Sequence, residues 1–101
     1  MSGRVGFGAF ELDLDIGKLR KAGRALKLRP QPMRVLCLLV SQAGRPVSRE
    51  EILEKIWGVS AHSTTRSVDN FVVKLRKKIE ENAAKPRHIV TIYGTGYKLV
   101  P

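Results

Sequence analysis

Residues 64–81 read TTRSVDNFVVKLRKKIEE, and the way this stretch divides its apolar and basic residues decides how the chain is read. Taking Val68 as zero and advancing about 100° per residue, Val72, Leu75 and Ile79 fall at about 40°, 340° and 20°. These four make a narrow apolar seam, with Phe71 at its edge. On the opposite side Arg66, Asn70, Val73, Lys74 and Lys77 cluster between about 140° and 240°, with Arg76 and Lys78 on the two flanks. The spacing predicts an amphipathic helix starting at Thr64 or Thr65 and fraying near Asn82.

A basic face is ordinarily a solvated face. Two features of this one point to a working surface instead. From Thr65 to Ile79 five cations stand against the single carboxylate of Asp69, a net of +4, whereas a helix selected for solubility interleaves signs at i, i+4. Val73, moreover, lies amid the polar face, where burial in a monomer gives it nothing. A small exposed apolar group beside Asn70 suits a DNA major groove, where it meets a thymine methyl while the amide reads a base edge. Asp69, near the helix N-terminus, complements the helix dipole and reads as structural.

Around this helix the chain is short and strongly basic. Its 101 residues support one domain with one modest core. The 19 Lys and Arg against 9 Asp and Glu leave a formal charge of +10, which calls for a polyanionic partner. No apolar run approaches the ~18 residues of a membrane span, so no membrane contact by this domain is expected. The start, MSGRVGFGAF, lacks the basic and apolar regions of a targeting segment. The single cysteine, Cys37, sits within VLCLLV. It excludes an intrachain disulfide and a Cys-rich metal site, reads as a small buried hydrophobe, and is compatible with a reducing cytoplasm.

Upstream, FELDLDIG alternates Phe10, Leu12, Leu14 and Ile16 with acids, the period of a strand with one buried face. KLR and RALKL, joined by KAG, continue it as a small antiparallel meander, with Gly23 in the turn and Leu26 and Leu28 inward. A first helix is expected from Pro30 to Ala43, its prolines confined to the first turn and Gly44 stopping it. Because Met33, Val35, Leu36, Leu38, Leu39 and Val40 cover more than one face, it should be central. A second helix opens at SREE, with Ser48 as cap and Glu51 closing a capping box. It buries Ile52, Leu53, Ile56 and Trp57 and ends at Gly58. Downstream, HIVTIYGTGYKLV gives two β-rich runs around a Gly-Thr-Gly turn, a hairpin.

The predicted fold class is thus α+β: a single domain over 1–101, with an N-terminal sheet in 5–28, three helices in 30–82 and a hairpin in 87–100. Three short helices followed by a ribbon is the layout of a winged helix-turn-helix. The pieces ending in AG, then RPVSREEILEKIWG, TRSVDNFVVKLRKKIE and PRHIVTIYGTGYKLV, resemble the winged-helix effector domain of bacterial response regulators of the OmpR/PhoB class, found also in membrane-bound relatives of the CadC/ToxR kind. The resemblance covers nearly the whole chain and extends to the four-stranded N-terminal sheet of that family.

That resemblance implies a two-component transcription regulator acting in the bacterial cytoplasm, on the nucleoid when bound. Its partner would be double-stranded DNA, with the third helix in the major groove and the wing at the minor groove. Tandem self-association on direct repeats is implied as well, as is contact with RNA polymerase through the loop Val59, Ser60, Ala61, His62 and Ser63. The groove-facing positions it implies fall on Arg66, Asn70, Val73, Lys74 and Lys77. Flanking DNA contacts would come from Arg76 and Lys78, and wing contacts from Tyr93, Thr95 and Lys98.

The chain departs from the family at two of these positions. Tyr93 stands where many relatives place an arginine just before the wing turn. A packed or backbone-bonded tyrosine is expected there, with Lys98 or Arg87 supplying the charge. At Val73 relatives often carry a polar or basic residue, so base preference should differ.

His62 and His88 have no ligand cluster beside them and read as solvent-exposed side chains. Gly94 and Gly96 lack the strand-to-helix context of a phosphate loop and read as wing-turn residues. No cofactor is expected. Nor is an enzyme, since no nucleophile with its base, paired carboxylates or metal constellation stands out. The rivals to a DNA reader are a protein-interaction winged helix and a double-stranded RNA binder using the same basic face. No receiver domain or acidic phosphorylation pocket is legible, so the input is expected from elsewhere or from a removed part.

Overall fold

Hydrophobic alternation in the first quarter of the chain builds a four-stranded antiparallel meander in the computed structural model, which describes residues 3–58 and 65–101. Its strands are β1 (Arg4–Phe7), β2 (Phe10–Asp13), β3 (Lys18–Lys21) and β4 (Arg24–Leu26), in that spatial order. Phe7, Phe10, Leu12 and Leu19 point to one face and are buried. The alternation stops earlier than the sequence suggests. Residues 14–17 turn from β2 into β3, so Leu14 is half-buried and Ile16, expected inside, is 64% exposed. β1 carries only Val5 and Phe7 as a pattern, too short a run to stand out by period.

The helix α1 (Pro30–Ser41) begins at the expected proline and ends two residues before the expected Ala43. It is central, as its many-sided apolar content requires. Val35, Leu36, Leu39 and Val40 are buried, while Met33, Cys37 and Leu38 pack half-buried against the same core. Burial raises the Cys37 thiol above its ordinary pKa, the behaviour of a packing cysteine. In α2 (Arg49–Trp57) the Ser48 hydroxyl accepts the Glu51 amide at 3.0 Å, the half of a capping box that satisfies an orphan donor. Ile52 and Ile56 are buried. Trp57, expected in that stripe, is only half-buried and lies against Phe71 with ring centroids 5.4 Å apart.

The helix α3 (Thr65–Ile79) buries Val68, Val72, Leu75 and Ile79, the seam its periodicity requires. It stops three residues short of the expected Asn82 because Glu80 is used otherwise. The Glu80 carboxylate, nearly buried, accepts the backbone amides of Arg87, His88 and Ile89 at 2.8–3.2 Å. One side chain thereby satisfies three amides leading into the hairpin, which would be costly if buried unpaired.

The hairpin joins β6 (Ile89–Ile92) to β7 (Gly96–Leu99). A third, two-residue strand, β5 (Val47–Ser48), lies on the other side of β7, giving the order β5-β7-β6. Two residues are too few to leave a pattern in the sequence. The two wing glycines have different duties. Gly94 takes the positive φ of the turn, +78°, with open space around it. Gly96 pairs with Ser48, and a Cβ there would collide with the Val47 carbonyl and sit 2.9 Å from the Arg49 amide.

Asp69 ties these elements together. Its Oδ1 accepts Arg49 Nε at 2.7 Å from α2 and the Tyr97 hydroxyl at 2.5 Å from β7. Partial burial opposes ionisation of this carboxyl, but the hydrogen bonds from Tyr97 and Arg49 outweigh it and hold the pKa below the ordinary carboxylate value. Burial, reinforced by the bond to Asp69, pushes the Tyr97 phenol the other way, above its usual value.

Three outcomes are expected of this architecture. Gly96→Ala should cost about 1–3 kcal/mol by overpacking, and Gly94→Ala about 1 kcal/mol by turn strain alone, so urea midpoints should rank Gly96→Ala the less stable. Trp57→Ala should cost about 2 kcal/mol in the same assay, below the ~3–5 kcal/mol of a fully buried aromatic, because Trp57 is only partly buried. The third concerns acid. A depressed Asp69 pKa contributes stability that is complete above the unfolded value of about 4 and is lost as pH falls through the folded one. With the Asp69 side chain 41% exposed, solvent screening limits that contribution to about 1 kcal/mol. Urea midpoints measured from pH 6 to pH 2 should therefore fall less steeply in Asp69→Asn than in the wild type.

Candidate nucleic-acid interface

With its seam fixed in the core, α3 turns the opposite side outward. Arg66, Asn70, Val73, Lys74, Lys77 and Lys78 are all exposed, and Val73 keeps 49% of its surface in solvent although it is aliphatic. Among the described residues no carboxylate lies within ion-pair distance of Arg66, Lys74, Lys77 or Lys78; the two pairs present are Arg4 with Asp13 and Arg49 with Asp69. The Lys74 ammonium lies 5.1 Å from the centroid of the Phe71 ring, which orients it without neutralising it. The result is a continuous positive stripe with one amide and one isopropyl group set in it.

Arg76 does not belong to that stripe. Expected as a flanking DNA contact, it is half-buried, and its Nε and Nη2 both donate to the Ile89 carbonyl at 3.0 and 2.7 Å. Nη2 also reaches Thr91 Oγ1 at 2.9 Å, and the guanidinium lies 5.5 Å from the Tyr97 ring centroid. Its donors are committed to β6, so Arg76 fixes the wing to α3. On the wheel it sits about 80° from the seam, a flank position whose partner only the folded hairpin reveals.

The wing presents a second exposed element. Tyr93 is 92% exposed, which overturns the expectation that it packs or bonds to backbone: the three-residue connection between Ile92 and Gly96 carries it past the last strand pair. Thr95 is exposed, and its carbonyl accepts the Arg49 amide at 3.2 Å. Lys98 is half-buried and Arg87 exposed.

The expected polymerase-contact loop, Val59, Ser60, Ala61, His62 and Ser63, lies outside the described residues. His88 departs from its solvent-exposed expectation. Its ring stands edge-on to Phe7 and Phe10, with centroids 5.5 and 6.1 Å away, and Nδ1 donates to the Val100 carbonyl at 2.9 Å. It therefore joins the N-terminal sheet to the hairpin. Among the described residues no group of three His, Cys, Asp or Glu gathers to hold a metal, and no helix is long and apolar enough to cross a membrane.

The four-stranded sheet, the three helices and the hairpin wing recur in known proteins. Residues 23–99 match the family described as transcriptional regulatory protein, C terminal. The transcriptional regulatory protein CseB of Streptomyces coelicolor is 39% identical over 97 residues, covering 96% of this chain and 39% of that protein. A probable transcriptional regulator, ycf27, of Galdieria sulphuraria is 36% identical over 98 residues, 95% of this chain and 38% of that protein. The chain thus spans well under half the length of these relatives.

Solved structures agree. The response regulator DrrB of Thermotoga maritima, an OmpR/PhoB homologue, superposes with a TM-score of 0.90 at 31% identity, over 98% of this chain and 45% of that one. The DNA-binding domain of Klebsiella pneumoniae RstA, solved in complex with the RstA box, gives 0.86 at 30% identity, over 97% of both chains. A basic recognition-type helix on a winged three-helix core, matched in sequence over 23–99 and in structure over almost the whole chain, places this protein in the OmpR/PhoB-type family of C-terminal DNA-binding domains of transcriptional regulators.

Proposed function

We propose that this chain reads double-stranded DNA sequence-specifically as the effector module of a bacterial transcriptional regulator, with α3 in the major groove and the wing against the minor groove. The observation that carries this reading is the outward face of α3: cations with no carboxylate at ion-pair distance among the described residues, interrupted by Asn70 and by a half-exposed Val73. A major groove about 12 Å wide admits one helix, and each base pair there shows its own pattern of donors, acceptors and methyl groups. Asn70 can pair with an adenine edge in a bidentate manner, and Val73 can meet a thymine methyl. Arg66, Lys74 and Lys77, as flexible cations, serve phosphates and positioning.

At the wing, Tyr93 offers an uncharged ring to the groove wall. It lacks the charge with which an inserted arginine exploits a narrow minor groove, so Lys98 or Arg87 supplies the cationic contact. Tandem copies on direct repeats and a polymerase contact through residues 59–63 rest on the family resemblance. With them comes action in the cytoplasm, on the nucleoid.

Selection of bound sequences from a random DNA pool tests the reading: one motif should emerge, and each wrong base pair in it should cost about 1–3 kcal/mol. Asn70→Ala and Val73→Ala should each change the selected motif. Lys77→Ala should leave the motif alone, weaken all sequences alike and shallow the salt slope by about one. A pool that yields no motif would return the basic face to an acidic protein or to double-stranded RNA.

A further inference from the structure

A groove of about 580 Å³ opens between the β4–α1 connection and the C-terminal half of α3, lined by Lys27, Leu28, Arg29, Pro30 and Pro32 on one side and Lys74, Lys77 and Lys78 on the other. Five cations and no carboxylate face it. Its wall on the α1 side is apolar and stiff, since Pro30 and Pro32 lie in the first turn of the helix with φ locked. Neither proline has an amide proton, which removes two of the donors that would otherwise make a helix-end anion site. Full positive charge in this groove therefore comes from the Lys and Arg side chains. Lys27 and Arg29 are both exposed, and neither takes part in an ion pair among the described residues.

Lys74 and Lys77 are the link to the reading face. They belong at once to the outward side of α3 and to this groove, so the groove is the lateral continuation of the α3 surface. Resting on the DNA-reading function above, we infer that the groove seats the phosphodiester backbone of one strand where it passes the C-terminal half of α3, with Lys27 and Arg29 as phosphate contacts outside the helix-turn-helix and the wing. Two phosphates bridged across a cationic cleft suit long flexible side chains that hold charge without fixing base identity. The apolar floor of Leu28 and Pro30, backed by the buried Pro32, suits the carbon face of deoxyribose. An acidic protein segment is the competing occupant. The shared lysines favour DNA, because a protein seated there would have to share Lys74 and Lys77 with the duplex.

Salt dependence of binding decides it. The double variant Lys27→Gln, Arg29→Gln of the intact chain should fold as the wild type does, since both side chains are exposed. On a duplex carrying the selected motif its log K against log salt should be shallower by up to about two, at roughly 0.9 per phosphate. The affinity lost between 50 and 200 mM salt should accordingly shrink by roughly 12-fold, or roughly 3.5-fold if only one contact is made. The selected motif should stay the same, and random duplex should weaken by the same factor. An unchanged slope in this variant, beside a shallower one in Arg66→Gln as control, would remove the groove from the DNA interface while leaving the reading helix in place. Unchanged DNA binding with lost binding to a poly-glutamate peptide would assign the groove to an acidic protein and overturn the inference. A wild-type chain that enriches no motif would instead bring down the DNA-reading function itself.

Discussion

The seam of α3 is the constraint on which the rest of the molecule depends. Val68, Val72 and Leu75 have no solvent exposure and Ile79 only 3%. Burial of four such side chains is worth about 1.5–3 kcal/mol each, as an upper estimate. A rotation of the helix by even one residue would withdraw part of that seam and bring Asp69 or Lys74 toward the core, where an unpaired charged group costs several kcal/mol more. The helix therefore has one favourable rotation, and that rotation alone determines which side chains face outward. Positions that do nothing for stability are presented to a partner as a direct result of those that do.

A second set of bonds fixes the wing relative to that helix. Arg76 holds the Ile89 carbonyl and Thr91, Tyr97 bonds to Asp69, and Glu80 gathers the amides that lead into β6. The Tyr97 ring also lies within cation–π range of both Arg49, at 5.2 Å, and Arg76, at 5.5 Å. Each of these side chains spends charge or hydrogen-bonding capacity inside the fold. The consequence is a division among the cations of α3 and its neighbours. Arg49 and Arg76, whose planar forks bond in fixed geometry, serve the structure. Lys74, Lys77 and Lys78, point charges on flexible stems, stay free to meet a polyanion whose phosphates are not held at one fixed distance.

The parts of the fold legible in the sequence were those set by local period or local chemistry. Four seam residues are enough to define a 3.6-residue repeat; Ser48 with Glu51 marks a cap; Gly-Thr-Gly between two β-branched runs marks a hairpin. Ile16 is exposed although it continues the alternation, because the chain turns at residues 14–17 and period alone cannot say where pairing stops. Trp57 carries the helical spacing of a core residue, yet it packs at the rim because its neighbour Phe71 itself lies there.

By itself the sequence determined a charge balance that suits a polyanion and which side of α3 turns outward. Charge balance is a property of composition, and a helix of known period has only one way to separate Val68, Val72, Leu75 and Ile79 from Asn70, Val73 and Lys77. Tertiary structure decided everything that needs two distant segments at once. Only folding brings Ile89 to Arg76, 13 residues away, and Tyr97 to Asp69, 28 residues away, which removes one arginine from the outward face and turns a dipole-complementing aspartate into the joint of three elements. Only folding sets Lys27 and Arg29 beside Lys74 and Lys77. Such pairings are fixed by which surfaces can bury one another, and no local repeat in the chain encodes that.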